Sequence, residues 1–373
     1  MSSAASEFKP DWGLHPGAVL STVLDTRGMR QVELAERTGL SPKHVNQIVK
    51  QVIGISPDVS ILLERALDVP AGFWMRVDTD YQAFESRQRA EAALGDYSTW
   101  ASKFHTGTLL RHDIIEPADT GVTRAEKLLK LFQVATPDAF TQTWLRPSVS
   151  FRRSQAFTVH EPNTALWLCL VERSARDLPV EPFNARKLRA VARSIPTMTT
   201  MTVPNGFVAA RAALAEAGVA LTFIREIPET RVCAATWWIN GERPAIGITE
   251  RHRRSDIFWF NLVHEIGHIA RHPRRTSFLD LDIRRDAADP AEEEADSFAV
   301  DTLFPDKSSD LIAQARSQRE LIIIAARLGI GVSVVAGRYG KLTEEWKLVS
   351  RLREQITDDD IATLEAIVNE TSA

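Results

Sequence analysis

Cysteine is nearly absent: Cys169 and Cys233 are the two that occur in 373 residues, and both sit in apolar stretches. Two distant cysteines outside any CxxC-type pair argue against a disulfide framework and against thiolate zinc ligation. They read as small buried hydrophobes. Long apolar runs are missing too. No stretch of 18 apolar residues occurs, so no membrane-spanning helix is expected. The segment Met1 to Glu7 lacks the basic and apolar regions of a secretory leader, and a cytoplasmic location is the expectation. There is no excess of positive charge: 45 Lys and Arg stand against 49 Asp and Glu, a net charge of −4. A global basic field for nucleic acid is thereby excluded, and any such surface must be local. Repeats and low-complexity segments are also lacking. What is present is ordinary globular composition, 44% apolar and 25% charged, at a length that fits two or three domains.

Along the chain, residues 1–13 read as a loose tail. Short helices broken by Gly and Pro follow from His15 to about Phe84, and weaker helical periodicity continues to about Gln142. Segment 143–200 reads as irregular connections plus helices near 164–176 and 184–194. Near 207 the pattern changes. Phe207–Ala217 predicts a helix closed by Gly218 as a left-handed cap. Val219–Ile227, Val232–Ile239 and Ala245–Thr249 predict three short strands, with Asn240-Gly241 as a hairpin signal between the last two. Helices are predicted at about 255–271, from Asp289-Pro290 to about Leu303, and near 317–328, 332–338, 343–356 and 358–370. The expected domains are 1–84, 85–200, 201–306 and 307–373.

The chemistry concentrates at His264-Glu265-Ile266-Gly267-His268, an H-E-x-x-H motif inside a predicted helix. Two histidines four apart project from one helical face and can share one zinc ion, with Glu265 beside a water on the metal. A catalytic zinc site takes three protein ligands and leaves a fourth position open. The third is expected from the acidic cluster Glu292-Glu293-Glu294-Ala295-Asp296, which opens the next helix. The spacing Glu292-x-x-x-Asp296 suits a ligand followed one turn later by an acid that orients a ligating histidine. Periodicity alone leaves Glu293 and Glu294 open as ligands. The chemistry implied is metal-assisted hydrolysis, with Glu265 taking the water proton and returning it to the leaving amine. Gly267 inside a helix costs roughly 1 kcal/mol against Ala, which suggests a packing reason for it. His252 and His272 lie among arginines and read as surface or substrate-facing groups, with a supporting role behind His268 left open for His272.

A second pattern spans residues 31–50. Ala35 lies one turn before Gly39, where the chain bends between two helices, and Leu34, Leu40, Val45 and Ile48 are spaced to close a small core. Ser41 is a good N-cap and Pro42 a good first helical residue. A second helix would then expose Lys43, His44, Asn46, Gln47 and Lys50, side-chain types that read base edges and phosphates. Gln31 opens the first helix, where it and the helix N-terminus can meet a phosphate. Between Arg30 and Lys50 there are four basic and two acidic side chains. So modest an excess calls for a homodimer, which doubles the phosphate contacts and reads a palindromic operator.

These patterns carry a resemblance. Residues 15–84 resemble HigA-type antitoxins of the lambda-repressor-like helix-turn-helix class, through His15-Pro16-Gly17, the unit 31–50, Gly54-Ile55-Ser56-Pro57-Asp58 and Leu67-Asp68-Val69-Pro70-Ala71-Gly72-Phe73-Trp74. Residues 200–306 resemble the ImmA/IrrE zinc peptidases, through Asp256-Ile257-Phe258-Trp259-Phe260, the motif 264–268, Glu292-x-Glu294-Ala295-Asp296-x-Phe298-Ala299 and Leu303-Phe304-Pro305. Long members that fuse both modules are similar also in Ala326–Ile330 and Val335–Arg338. The resemblance implies a mainly α protein with a small α+β zincin-like domain: a five-helix DNA-binding domain, a helical middle region, a gluzincin-like domain with a small sheet, and a helical C-terminal tail. It implies one zinc ion on His264, His268 and Glu292, with Glu265 as base and Asp296 behind the ligands. It further implies a regulator that cuts a protein partner, in a toxin–antitoxin or phage-related setting. The alternative is a repressor whose zinc domain senses or binds a partner without cutting. This chain departs from the pattern after the recognition helix, where Lys50-Gln51-Val52 replaces a Gly-containing turn. No transition-state stabiliser is marked; Arg338 or Tyr339 could supply one, although structural roles suit each better.

Overall fold

A computed structural model of the chain describes residues 13–145, 160–272, 278–281, 290–305 and 308–370. The expected tail up to residue 12, the connections at 146–159 and the start of the acidic helix at Asp289 lie outside the described residues. The chain forms two compact units, 1–98 and 99–373.

Among its described residues the first unit contains five helices: α1 (Pro16–Thr26), α2 (Gln31–Thr38), α3 (Pro42–Val49), α4 (Pro57–Leu67) and α5 (Ala71–Asp96). Three of them start by the same local chemistry. His15, Ser41 and Ser56 each accept a backbone N–H from the first turn, and each is followed by Pro at the first helical position. Leu20, Leu34, Val45, Ile48, Leu63, Leu67 and Trp74 are fully buried between the helices. Leu40 is partly buried against the same core. The fifth helix runs on past Phe84 to Asp96, beyond the expected end of the helix-turn-helix region.

The second unit is built around a four-stranded sheet of β1 (Ala220–Phe223), β2 (Val232–Ile239), β3 (Arg243–Ile248) and β4 (Phe278–Leu281), in the order β1-β3-β2-β4. The first and third strands are parallel, and the other pairings are antiparallel. The sequence predicted three strands. The fourth is short and pairs with a strand about forty residues earlier, so no local alternation announces it. Asn240 and Gly241 turn the β2–β3 hairpin with φ of 52° and 73°.

Before the sheet come α6 (Gly121–Phe132), α7 (Glu161–Asp177), α8 (Ala185–Met198) and α9 (Val203–Glu216). The last starts four residues earlier than predicted, and Gly218 takes φ 82° two residues after its end. Both faces of the sheet are covered, which explains why β2 and β3 are apolar almost throughout. On one face α7 presses Trp167 and Val171 against Gly247, and Trp167 Nε1 donates to Ile224 O at 3.0 Å. On the other face Ile246 and Ile248 join the core formed with α10 (Ser255–Arg271), whose Phe258, Trp259, Leu262 and Ile266 are buried.

After β4 follow α11 (Pro290–Leu303), α12 (Ser308–Ala313), α13 (Gln318–Leu328), α14 (Val332–Thr343) and α15 (Asp358–Asn369). A helix predicted at 343–356 does not form. Residues 346–349 make a single helical turn, further turns follow to 352, and Gln355 then bridges Arg254. Ser255 N donates to Glu354 O at 3.1 Å and Ile356 N to Arg253 O at 3.1 Å, so tertiary pairing outweighs helix propensity there. The whole is mainly α with one small α+β region. Among the described residues no helix is long and apolar enough to cross a membrane.

Candidate metal centre and helix-turn-helix

The HExxH segment lies in the second half of α10, buried against the sheet. His264 and His268 are each 2% exposed and Glu265 is 0% exposed. One helical turn brings the two imidazoles together, with Nε2 to Nε2 at 3.0 Å. The third member comes from α11. Glu292 places one carboxylate oxygen 3.2 Å from His264 Nε2 and the other 3.7 Å from His268 Nε2. One ligand atom from each of the three lies within 4.8 Å of the others.

What sets this alignment is the close crossing of α10 and α11. A Cβ on Gly267 would meet Phe298 Cδ1 at 3.1 Å and Ala295 Cα at 3.2 Å. Glycine at 267 therefore lets α11 lie directly on the motif, which is the packing reason the sequence called for. The same crossing fixes the rotation of α11. Ala295, Ala299 and Leu303 turn inward, Glu292 faces the histidines, and Glu293 and Glu294 are exposed. Of the three carboxylates left open by periodicity, only Glu292 joins the cluster.

The far nitrogens of both imidazoles are held. Asp296 Oδ1 lies 2.8 Å from His264 Nδ1, one turn beyond Glu292 on the same helix. His272 Nδ1 lies 3.1 Å from His268 Nδ1. With Nδ1–H donated outward, each Nε2 keeps its lone pair for the shared centre. The role of His272, left open by the sequence, is thus a contact with His268. The i,i+4 spacing from His268 is the signal that points to it. His272 Nε2 in turn lies 3.4 Å from Glu294 Oε2.

Electrostatics suit a divalent cation. Burial pushes the His268 imidazole down to about 4, assisted by neighbouring His264, so the ring is neutral at pH 7. Burial alone would raise the Glu292 carboxyl, but its contacts with the His264 and His268 imidazoles outweigh it and hold the group well below the usual carboxylate range. Two imidazoles and one carboxylate are a donor set that fits zinc and leaves a position open. Replacing Asp296 by Ala is expected to weaken metal binding by about 10–100-fold with the three candidate ligands intact, measured by competition with a chromogenic chelator. Unchanged affinity would remove Asp296 from the site.

Arg338 and Tyr339 are engaged elsewhere. The Tyr339 hydroxyl donates to Glu345 Oε2 at 2.8 Å, and Arg338 donates from Nε to Ser309 Oγ at 3.1 Å. Neither partner belongs to the cluster. Cys169 and Cys233 are buried, and burial pushes the Cys169 thiol up to about 12, so it is inert at neutral pH.

In the first unit, α2 and α3 meet at Gly39, whose φ of 74° lets the chain reverse. Ser41 Oγ caps α3 by accepting from His44 N at 3.1 Å. Lys43 and Lys50 are exposed, whereas His44, Asn46 and Gln47 are partly buried. Full exposure of those three was expected. They lie beside the inward-facing Val45 and Ile48 and share some of their cover. Gln31 stands at the start of α2, also partly covered. The turn after α3 closes without glycine: Gln51 adopts φ 62°, and Val52 N reaches back to Gln47 O at 2.9 Å. A left-handed residue with a Cβ costs about 1–2 kcal/mol. Gln51→Gly is therefore expected to stabilise the unit by about 1 kcal/mol in chemical denaturation of the full chain. A loss of stability would contradict this account of the exit turn.

A helix-turn-helix family model matches residues 22–74. A peptidase family model, described as an IrrE N-terminal-like domain, matches residues 220–339, from β1 through most of α14. No curated protein and no solved structure matches the chain. The chain thus joins a helix-turn-helix domain of the DNA-binding regulator type to an IrrE N-terminal-like domain of the metallopeptidase type.

Proposed function

We propose that the protein is a DNA-binding transcriptional regulator, antitoxin-like in its first domain, whose second domain is a zinc-dependent endopeptidase acting on a regulatory protein partner. The observation that carries the peptidase half is the fully buried Glu265 between two histidines that share a centre with Glu292. A purely structural metal site has no need of a carboxylate base in that position. His264, His268 and Glu292 would hold one zinc ion. When bound, the ion supplies Lewis-acid polarisation of a scissile carbonyl and acidifies water. Glu265 is the proton acceptor for the attacking water and returns that proton to the leaving amine. Asp296 and His272 keep the imidazole tautomers that present Nε2. The apolar wall of Phe258, Trp259 and Ile266 fixes the helix that carries all of these groups.

On the DNA side, α3 is the recognition helix, with Asn46 and Gln47 toward base edges and Lys43 and Lys50 toward base or phosphate. His44 lies on the same helix, while Ser41 and Gln31 stand at helix N-termini suited to phosphate. The chain would act as a homodimer on a palindromic double-stranded operator. Changing Asn46 and Gln47 together to Ala is expected to weaken specific binding by about 1–3 kcal/mol per lost base contact, with non-specific binding unchanged, in salt-matched titrations. Unaltered specificity would overturn the assignment of α3. The peptidase half is tested by incubating the zinc-loaded protein with the product of the neighbouring gene, with and without chelator. A metal-dependent cut at a defined bond supports it. A partner left intact under every condition, with metal bound, removes it.

A further inference from the structure

Beside the metal cluster, α10, α11 and α14 form most of the walls of a half-open cavity of about 380 Å³. None of His264, Glu265, His268 or Glu292 lines it, so an occupant would not be the group that reaches the metal. Its walls are mostly apolar: Phe260 of α10, Val300 and Leu303 of α11, Phe304 just after it, and Val334 of α14. Its two ends differ in charge. At one end is the carboxylate of Asp296, which is committed to His264 Nδ1. Toward the other is Phe304, eight residues on from Asp296 or about 12 Å of helical rise, and Arg338 of α14 lies over its ring, 5.4 Å from the centroid. Lys341 stands one turn from Arg338 and is exposed.

The charge balance at that end is uneven. The other acid of the wall, Asp256, is already paired with Arg353 at 2.8 Å, and Arg353 also lies over Trp346. Arg338 has neutral partners, the Ser309 hydroxyl and the Phe304 ring, and no ion pair among the described residues. Burial lowers its pKa, the mark of a cation short of compensation. A half-buried guanidinium facing an apolar cavity favours an anion that brings its own apolar body.

We infer that this cavity is a binding site for a small amphipathic organic acid, its carboxylate on Arg338 and Lys341 and its apolar body along Phe260, Val300 and Leu303. The volume lies within the range of small-molecule pockets, about 300–1,000 Å³. The far end of such a ligand meets Asp296, the residue that orients His264. Ligand binding and metal binding are then coupled, each altering the other by the same factor.

Calorimetric titration of the zinc-loaded full chain with 2-naphthoate and with its uncharged amide tests the site. The acid is expected to bind once per chain, at least about tenfold more tightly than the amide, the effect of one charge-assisted bond. Arg338→Gln removes most of that preference. Lys341→Gln, at an exposed position that folding does not require, weakens the acid about threefold and leaves the amide unchanged. Val300→Trp fills the cavity and abolishes both. Equal binding of acid and amide, or acid binding unchanged in both charge variants, overturns the proposal. So does competition between naphthoate and a peptide cut at the metal centre, which would make the occupant a substrate side chain. The readout is heat of binding, so failure here is distinct from failure of the peptidase reading.

Discussion

Replacing Glu265 by Gln is expected to leave zinc bound and to slow cleavage of the partner by about 10²–10⁴-fold, the usual contribution of a positioned general base. The side chain is 0% exposed, so its shape matters as much as its charge. Gln keeps the shape and both polar atoms but cannot accept the proton. Because the proposed ligand atoms come from His264, His268 and Glu292, metal content and thermal stability should stay near wild type. Zinc stoichiometry measured beside single-turnover cleavage separates the two effects. A variant that retains zinc and cuts within a few-fold of wild type would take the base role away from Glu265. A variant that loses zinc would make Glu265 part of the metal-holding set.

The second large effect concerns Glu292. Glu292→Gln is expected to lower zinc affinity by more than the roughly 10–100-fold assigned to an outer-shell residue such as Asp296. Glu293→Gln and Glu294→Gln should change it by far less, because both side chains are exposed on other faces of α11. Glu294 lies near His272 Nε2 at 3.4 Å, so its variant should show whatever small effect travels through that ring. The three variants differ by one carboxylate each within a single helical turn. Equal losses in all three would mean that the cluster's overall negative charge, not one ligand, draws the metal. A loss confined to Glu293 or Glu294 would contradict the rotation of α11.

The difference between these carboxylates shows where the sequence stops being informative. The motif helix was legible from end to end, because local apolar spacing and the HExxH pattern coincide at 255–271. Its partner helix was legible in position but not in rotation. The rotation is set by the Gly267–Ala295 crossing, a tertiary contact between segments about thirty residues apart. Local capping chemistry at Ser41-Pro42 and the Gly39 turn placed α2 and α3. The turn at Gln51 was not legible, since a non-glycine residue takes the left-handed conformation there. The fourth strand and the absent helix at 343–356 share one cause. In both, pairing with distant backbone decides the structure: β4 with β2, and residues 354–356 with 253–255. The cavity beside the metal cluster needs three helices in register, and spacing along one helix could not reveal it.

X-ray absorption at the zinc edge of the metal-loaded full chain tests the central claim most directly, that His264, His268 and Glu292 form an open hydrolytic metal centre. The expected spectrum has two imidazoles at about 2.0–2.1 Å, oxygen ligands at about 2.0–2.2 Å and no sulfur. It should change when a small competing anion is added, as an open position requires. A third imidazole, a sulfur shell near 2.3 Å, or a spectrum indifferent to added anions would describe a closed structural site and contradict the claim.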